Sequence, residues 1–234
     1  MMQNVKTVFL DIDDTLWWFT ENSKEAFAHV YNQHGLDRLC SYERFHKVYI
    51  EKNRELWEAY HHGKIGKAYL NSERFRYTLE HCGYQGDALE LGNKLNAHYL
   101  NYLVTLPRVL PGAKELLEYL KAKGYDVNTL SNGFAHFQPR KLVSGGLDGY
   151  IHRNILSDDC GITKPLPGIF DYALATCGAS RETTVMIGDD PDADIAGAHN
   201  AGWRTIYFNW KQQPVAPGAA DATVTHLLEV ERLL

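Results

Sequence analysis

The sequence predicts an α/β protein in which a parallel β-sheet is covered by helices on both faces and an all-helical block is inserted after the first strand. Two changes of texture carry that expectation. From about Asn22 to Val104 apolar residues recur at helical spacing with hardly any strand-like alternation, whereas after Pro107 short apolar runs alternate with helical stretches. A third observation is that polar clusters follow directly on several of the short apolar runs.

Taken in order, Thr7-Val-Phe-Leu10 is an unbroken apolar run of strand length, the pattern of a strand buried on both faces. It ends in Asp11, Asp13 and Asp14, three carboxylates within four positions. Carboxylates so close repel one another and lose hydration near a core, so they must be paired, protonated or neutralised by a cation. In the inserted block, Ala26, Phe27, Val30 and Tyr31, then Phe45, Val48, Tyr49, Leu56 and Tyr60, mark helix faces. Asn22 with Glu25 reads as an N-cap with its capping-box partner, and Gly35, Gly63 and Gly83 fall where helices should stop. Three or four helices fit the block.

Beyond it, Pro111-Gly112 opens a helix carrying Leu116, Leu117 and Leu120, Gly124 closes it, and Tyr125–Leu130 follows as a strand running into Ser131-Asn132-Gly133. Pro167 starts a helix with Ile169, Phe170, Ala173 and Leu174, and Gly178 ends it. A strand over Thr184–Ile187 then runs into Gly188-Asp189-Asp190. A helix through Ala201, a strand over Thr205–Phe208 and a last one over Ala222–Thr225 complete the series. Such alternation implies right-handed βαβ crossovers and a Rossmann-like parallel sheet.

Composition narrows the function. Lys and Arg number 24 against 29 Asp and Glu, a formal charge of −5, which argues against a nucleic-acid polymer as partner and leaves room for a small phosphorylated metabolite. Cys40, Cys82, Cys160 and Cys177 form no C-x-x-C pair, and no basic flank precedes a long apolar run. Those features fit a reduced, cytoplasmic protein and point to no membrane. The histidines, His61-His62 included, show no H-x-x-x-H pair on a periodic helix and read as surface or satisfied residues rather than zinc ligands. A monomer and a homodimer are both compatible with the composition.

The acids of the first strand end, Ser131-Asn132 and Gly188-Asp189-Asp190 all fall at carboxyl ends of parallel strands, the edge where open α/β sheets bind ligands. Lys164, in Gly161-Ile-Thr-Lys164-Pro165, precedes a helix on the same expected edge. Alone, Lys164 would be a solvated lysine and Ser131-Asn132-Gly133 an ordinary turn. Together, acids from two strand ends with a lysine and a hydroxyl describe a site for a hard divalent cation and a phosphate. Asp14 and Asp192 read as ordinary acids at helix N-termini.

Asp11-x-Asp13-x-Thr15, Ser131-Asn132-Gly133, Lys164-Pro165 and Gly188-Asp189 with Asp194, in that order, resemble the haloacid dehalogenase-like superfamily on its phosphatase branch, with a helical cap inserted after the first strand. The resemblance covers nearly the whole chain and implies a catalytic core over 1–17 and 106–234 with a cap over 18–105. It implies that Asp11 attacks the phosphoryl group, that Asp13 serves as acid and then base, and that Mg²⁺ is held by Asp11, the main-chain carbonyl of Asp13, and Asp189. Ser131 and the amide of Asn132 would hold phosphate oxygens, Lys164 would neutralise charge in the transition state, Asp194 would orient Lys164, and Asp190 would support the metal site. Haloacid dehalogenases lack an acid two residues after the nucleophile, and receiver domains lack a helical insert of this size, so neither matches as well.

The stretch Asn53-Arg-Glu-Leu56-Trp57, with Gly63-Lys-Ile65, Glu73-Arg74-Phe75, Asn132-Gly133-Phe134 and Gln138, resembles the pyrimidine 5′-nucleotidase subgroup. That implies 5′-nucleoside monophosphates as substrates, pyrimidine or non-standard, with Asn53 binding substrate. Phosphoglycolate, a sugar phosphate or flavin mononucleotide are the alternatives. Lys52 and Asn53 interrupt an apolar helix face, which suits either a partly polar pocket or an exposed middle turn. Trp17 and Trp18 divide between packing at the cap hinge and a surface on which a base stacks.

Overall fold

The computed structural model describes residues 2, 4–216 and 218–234. In chain order the principal elements are β1 (Thr7–Leu10), α1 (Phe19–Gln33), α2 (Tyr42–His61), α3 (Lys67–His81), α4 (Ala88–Leu103), α5 (Ala113–Ala122), β2 (Asp126–Ser131) and α6 (Gln138–Gly145). They continue with β3 (Arg153–Leu156), α7 (Ser157–Cys160), α8 (Pro167–Cys177), β4 (Thr184–Gly188), α9 (Gly197–Asn200), β5 (Arg204–Phe208) and β6 (Ala222–Val224). The chain divides into two compact units, Met1–Phe19 with Leu106–Leu234, and Thr20–Thr105.

The first unit is built on a six-stranded sheet in the order β3-β2-β1-β4-β5-β6. All neighbouring pairs are parallel. Val8, Phe9 and Leu10 of β1 are fully buried, as an uninterrupted apolar strand flanked on both sides requires. The chain winds outward from β1 in one direction and then in the other, so the order reverses at β1 and β4. Leu10 lies in register with Thr129 of β2 and Ile187 of β4, so Asp11, Ser131 and Asp189 emerge at one edge. That edge, at a switch of strand order, is where a parallel sheet opens a crevice.

Phe9, Leu130, Met186, Phe170 and Trp203 form a core on one side of the sheet. The Trp203 ring stands 4.9 Å from Phe9 and 5.3 Å from Phe170. Burying each such ring contributes about 1.5–3 kcal/mol before entropy is counted. A Cβ at Gly197 would lie 2.9 Å from the Phe170 ring and from Pro165 Cα, so α9 settles on α8 only because that position lacks a side chain.

Three local features depart from the sequence expectation. β3 has no counterpart in the apolar pattern, because its first half is Arg153-Asn154 and only Ile155 and Leu156 are buried, which is how a short edge strand looks. Between β4 and β5 the chain first makes a wide helical turn, Pro191–Ala196, and only then the short α9. The Asn22–Glu25 capping box is not formed, since α1 begins at Phe19 and Asn22 and Ser23 lie buried inside it. In the same turn Ser23 Oγ shares a 2.7 Å hydrogen bond with Tyr99 Oη.

The second unit contains most of α1 with α2, α3 and α4. Phe27 sits at its centre, with ring centroids of Tyr49 at 4.7 Å, Phe45 at 5.8 Å and Phe75 at 5.9 Å. Ser41 accepts a hydrogen bond from the Arg44 N–H at the start of α2, and Asp87 accepts one from the Glu90 N–H at the start of α4. Just beyond α1, α2 and α3 the backbone turns through Gly35, Gly63 and Gly83 at φ 60°, 67° and 90°, as helix-stop glycines should. Among the described residues no helix is long and apolar enough to cross a membrane.

α3 and α4 approach closely at Gly92, where a Cβ would lie 2.8 Å from the Arg76 backbone nitrogen. Gly92→Val should therefore lower stability by about 2 kcal/mol through overpacking, read as a shift of the urea midpoint. An unchanged midpoint would show that the two helices are free to separate there.

Candidate active site

Each strand end at the switch of the sheet delivers a polar group, and one ammonium ties three of them together. Lys164 is buried, and its Nζ donates to Asp11 Oδ1 at 2.7 Å, to Asp194 Oδ1 at 2.6 Å and to the Leu130 carbonyl at 2.7 Å. Its main chain is fixed as well. Lys164 N–H donates to Asn132 Oδ1 at 2.7 Å, and Asn132 Nδ2 donates to the Lys164 carbonyl at 2.9 Å. Asn132 thus uses its side chain to place Lys164.

Asp11, Asp189 and Asp194 each offer a carboxylate oxygen within 4.8 Å of the others. Burial pushes the Asp11 carboxyl well above its usual range, and the charges of Asp194 and Asp13 add to this against the pull of Lys164. Asp194 is raised by burial too, with Lys164 opposing. Asp189 is pushed up to about 7, by burial first and also by Asp194 and Asp14, while Lys211 opposes. Burial works against the charge of Lys164, yet Asp11 and Asp194 outweigh it and hold the ammonium protonated. Carboxylates so crowded call for more positive charge than the lysine supplies, and oxygen donors at this spacing suit a hard divalent cation. The residues therefore fit Mg²⁺.

Asp13 lives in a different environment. Lys141 Nζ donates to both of its oxygens at 2.7 and 2.8 Å, and Gln138 Nε2 donates to Oδ2 at 2.9 Å. The Lys141 ammonium lies 5.1 Å from the Trp17 ring centroid and 5.4 Å from that of Phe19, so its position is set by cation–π contact and by packing of its stem. Gln138 Nε2 also donates to Ser131 Oγ at 2.7 Å, and the Gly133 N–H donates to the same oxygen at 3.1 Å. Both lone pairs of that hydroxyl are then engaged, which leaves its proton to be given outward. A side chain at 133 would run into Gln138, which explains the glycine in Ser131-Asn132-Gly133.

The remaining candidates fall as follows. Asp190 Oδ1 accepts from the Asp192 and Ala193 N–H groups at 2.9 and 2.8 Å, and the Asp190 N–H donates to Asp194 Oδ2 at 3.1 Å. Asp190 is thus the cap of the wide turn, with Asp192 exposed in its first turn. Asp14 is no helix-terminal acid, because α1 starts five residues later; it is buried at φ 56° and pairs with Lys211 at 3.2 Å. Trp17 is fully buried and donates from Nε1 to the Leu106 carbonyl at 3.1 Å, which makes it a packing residue. Asn53, Lys52 and Arg74 belong to the helical unit. There Arg74 donates to Asn96 and Asn71 at 2.9 Å and to Asn53 at 3.4 Å, and Lys52 Nζ donates to Glu55 at 2.8 Å.

Lys141 and Lys211 are two site residues that the sequence motifs do not include. Lys141 shares one face of α6 with Gln138 three residues earlier, directly after the Ser131 turn, and Lys211 follows β5 on the same sheet edge, so the spacing and the edge rule could have found both.

A model of the haloacid dehalogenase-like hydrolase family matches residues 5–202. The chain belongs to this family. It is 32% identical over 229 residues, 97% of its own length and 96% of the relative's, to the pyrimidine 5′-nucleotidase YjjG of Escherichia coli K12. It is 31% identical over 227 residues, 93% and 90% of the two chains, to the ribulose-1,5-bisphosphate 5-phosphatase of Halopiger xanaduensis. The structure of the HAD-hydrolase YfnB of Bacillus subtilis bound to magnesium resembles it with a TM-score of 0.87 over 99% of each chain at 26% identity.

The crowded acids carry a stability consequence within this family's site. A carboxyl whose folded pKa is raised from 3.8 to about 7 costs stability in full above that value, and the cost disappears as pH falls toward 3.8. In EDTA at pH 8, Asp189→Asn should therefore stabilise the protein by at least about 1 kcal/mol, with the gain shrinking by pH 5.5. Destabilisation at pH 8 would show that the Lys211 pair outweighs the burial of Asp189.

Proposed function

We propose that the chain is a Mg²⁺-dependent phosphomonoester hydrolase that works through an aspartyl phosphate on Asp11 and acts on 5′-nucleoside monophosphates, pyrimidine ones first. The observation that carries the chemistry is the separation of two carboxylates into two environments. Asp11 faces Lys164, Asp194 and Asp189, whereas Asp13 is held by Lys141 and Gln138. Carboxylates in unlike surroundings serve unlike roles. Asp11 is the nucleophile: its oxygen forms a bond to phosphorus as the bond from phosphorus to the leaving oxygen breaks. Asp13 gives its proton to that oxygen, so the alcohol departs neutral. Asp13 then takes a proton from water as the water oxygen attacks phosphorus, and the Asp11–phosphorus bond breaks to release phosphate.

The other side chains bind and neutralise. The Ser131 hydroxyl and the Asn132 N–H donate to phosphate oxygens, and Lys164 offsets the charge that builds on them. Lys141 and Gln138 keep the Asp13 carboxyl aimed. A Mg²⁺ held by Asp11, the Asp13 carbonyl and Asp189 supplies, when bound, the screening that lets a carboxylate approach a phosphate dianion.

The helical unit is assigned as the cap, with Asn53, Lys52 and Arg74 reading the leaving group. Support for a nucleotide comes from the resemblance to YjjG and from the polar Arg74–Asn53–Asn96 network, which offers the amide and guanidinium groups that match a base edge. A sugar phosphate is the second reading, supported by the similar identity to the ribulose bisphosphate phosphatase.

Chelation should abolish phosphate release and Mg²⁺ should restore it; full activity in excess EDTA would overturn the metal requirement. Asp11→Asn and Asp13→Asn should each lower kcat by at least about 10²-fold, and only Asp11 should trap phosphate or beryllium fluoride. Asn53→Ala should raise KM for a pyrimidine nucleotide while leaving p-nitrophenyl phosphate turnover almost unchanged. A substrate screen in which a sugar phosphate or phosphoglycolate exceeds nucleotides about tenfold in kcat/KM would remove the nucleotidase reading and leave the phosphatase standing.

A further inference from the structure

Two lysines reach the carboxylates of the site, and they are built differently. Lys164 has 2% of its side chain exposed and makes its three contacts at 2.6 to 2.7 Å. Lys211 has 38% of its side chain exposed and lies 3.2 Å from both Asp14 Oδ2 and Asp189 Oδ2. The first is locked in place. The second rests on its partners at distances longer than a strong charge-assisted hydrogen bond, with solvent beside it.

The segment that carries Lys211 is held firmly. Asn209 Nδ2 donates to the Gln213 carbonyl at 2.8 Å, the Gln213 N–H donates back to Asn209 Oδ1 at 2.9 Å, and the Gln212 N–H donates to the Asn209 carbonyl at 3.0 Å. Gln212 sits at φ 50°, a conformation a non-glycine side chain adopts only where the surroundings impose it. The turn therefore presents Lys211 from a fixed base while the side chain itself can swing. It borders a cleft of about 200 Å³ lined by Asp189, Asp190, Tyr207, Asn209, Trp210 and Lys211. The Lys211 ammonium also lies 4.8 Å from the Trp210 ring centroid.

We infer that Lys211 is an internal counter-ion of the divalent-cation site, neutralising Asp189 and Asp14 in the cation-free protein and withdrawing from Asp189 when a cation loads. This rests on the proposed metal role of Asp189. An ammonium and a divalent ion on one carboxylate repel at close range; burial locks Lys164 on Asp11, whereas the half-exposed Lys211 side chain has solvent to move into. Lys211 thus acts as a positioning residue that sets cation affinity, and its movement changes the surroundings of Trp210.

The test is calorimetric titration of the metal-free full chain with MgCl₂, repeated on Lys211→Met, Lys211→Arg and Trp210→Phe. Lys211→Met should bind Mg²⁺ at least about tenfold more tightly, about 1.4 kcal/mol. Lys211→Arg should stay near the parent affinity, because the competing charge remains. Mg²⁺ should change tryptophan fluorescence in the parent, and Trp210→Phe should remove that change without altering the affinity. Equal or weaker binding by Lys211→Met overturns the counter-ion role alone. Absence of Mg²⁺ binding by parent and variant alike overturns the metal reading on which it stands.

Discussion

Lys164 Nζ donates three hydrogen bonds from a buried position, and each acceptor belongs to a different part of the sheet unit: Asp11 after β1, Leu130 in β2 and Asp194 after β4. Removing an ammonium from water costs several kcal/mol, and that cost is offset only when all of its donors are satisfied and opposite charge lies close. Both conditions hold here. The pairing also offsets part of the repulsion between the two buried carboxylates, since the Lys164 charge pulls on both Asp11 and Asp194. Asn132 extends the constraint by clamping the main chain of Lys164, so the second strand end serves the first and the third.

Around this fixed centre the charges are unevenly matched. Asp189 draws on Lys211, and Asp13 on Lys141 and Gln138, yet the Asp11, Asp189 and Asp194 carboxyls remain displaced upward by burial and mutual repulsion. A site organised only for stability would replace one of those acids by an amide. Keeping all three suits the proposed divalent-cation site. On the proposed assignment Asp13 fits the same reading, because an acid two residues after the nucleophile can protonate a leaving oxygen.

Much of this is legible in the sequence, and the parts that are not share a cause. β1 is plain because four apolar residues running straight into three acids fit a buried strand that ends at a polar site and fit little else. β2, β4 and β5 are marked by apolar runs, with a glycine-closed helix before the first two. β3 is hidden because half of it is polar and it lies at the sheet edge. Asp11, Asp13, Ser131, Lys164, Asp189 and Asp194 can be grouped because each stands at a strand or helix boundary, and position in the chain then fixes position at the sheet edge. Lys141 and Lys211 lie within α6 and in the loop after β5, outside the boundary motifs, so only their spacing from the Ser131 turn and from the sheet edge marks them. The Asn22–Glu25 capping box fails because α1 already begins at Phe19, and the helix-end role of Asp14 fails because α1 starts beyond it and its ion pair is with Lys211.

The same distinction between boundary and interior bears on substrate choice. The groups at the sheet edge are assigned to the phosphoryl group, which is common to a nucleotide, a triose phosphate and a ribulose bisphosphate. Charge of this kind cannot tell those molecules apart, because each presents the same dianion to the same donors. Discrimination of more than about tenfold needs donors and acceptors left unpaired by the wrong leaving group. The helical unit is the proposed source of such groups: there the buried Arg74 guanidinium donates to the amide oxygens of Asn53, Asn71 and Asn96. Amide oxygens do not cancel the charge of a guanidinium as a carboxylate would, and amides can reorient to donate or accept. On the proposed assignment, a network of that composition reads the hydrogen-bonding edge of a base, while the sheet edge treats every phosphomonoester alike.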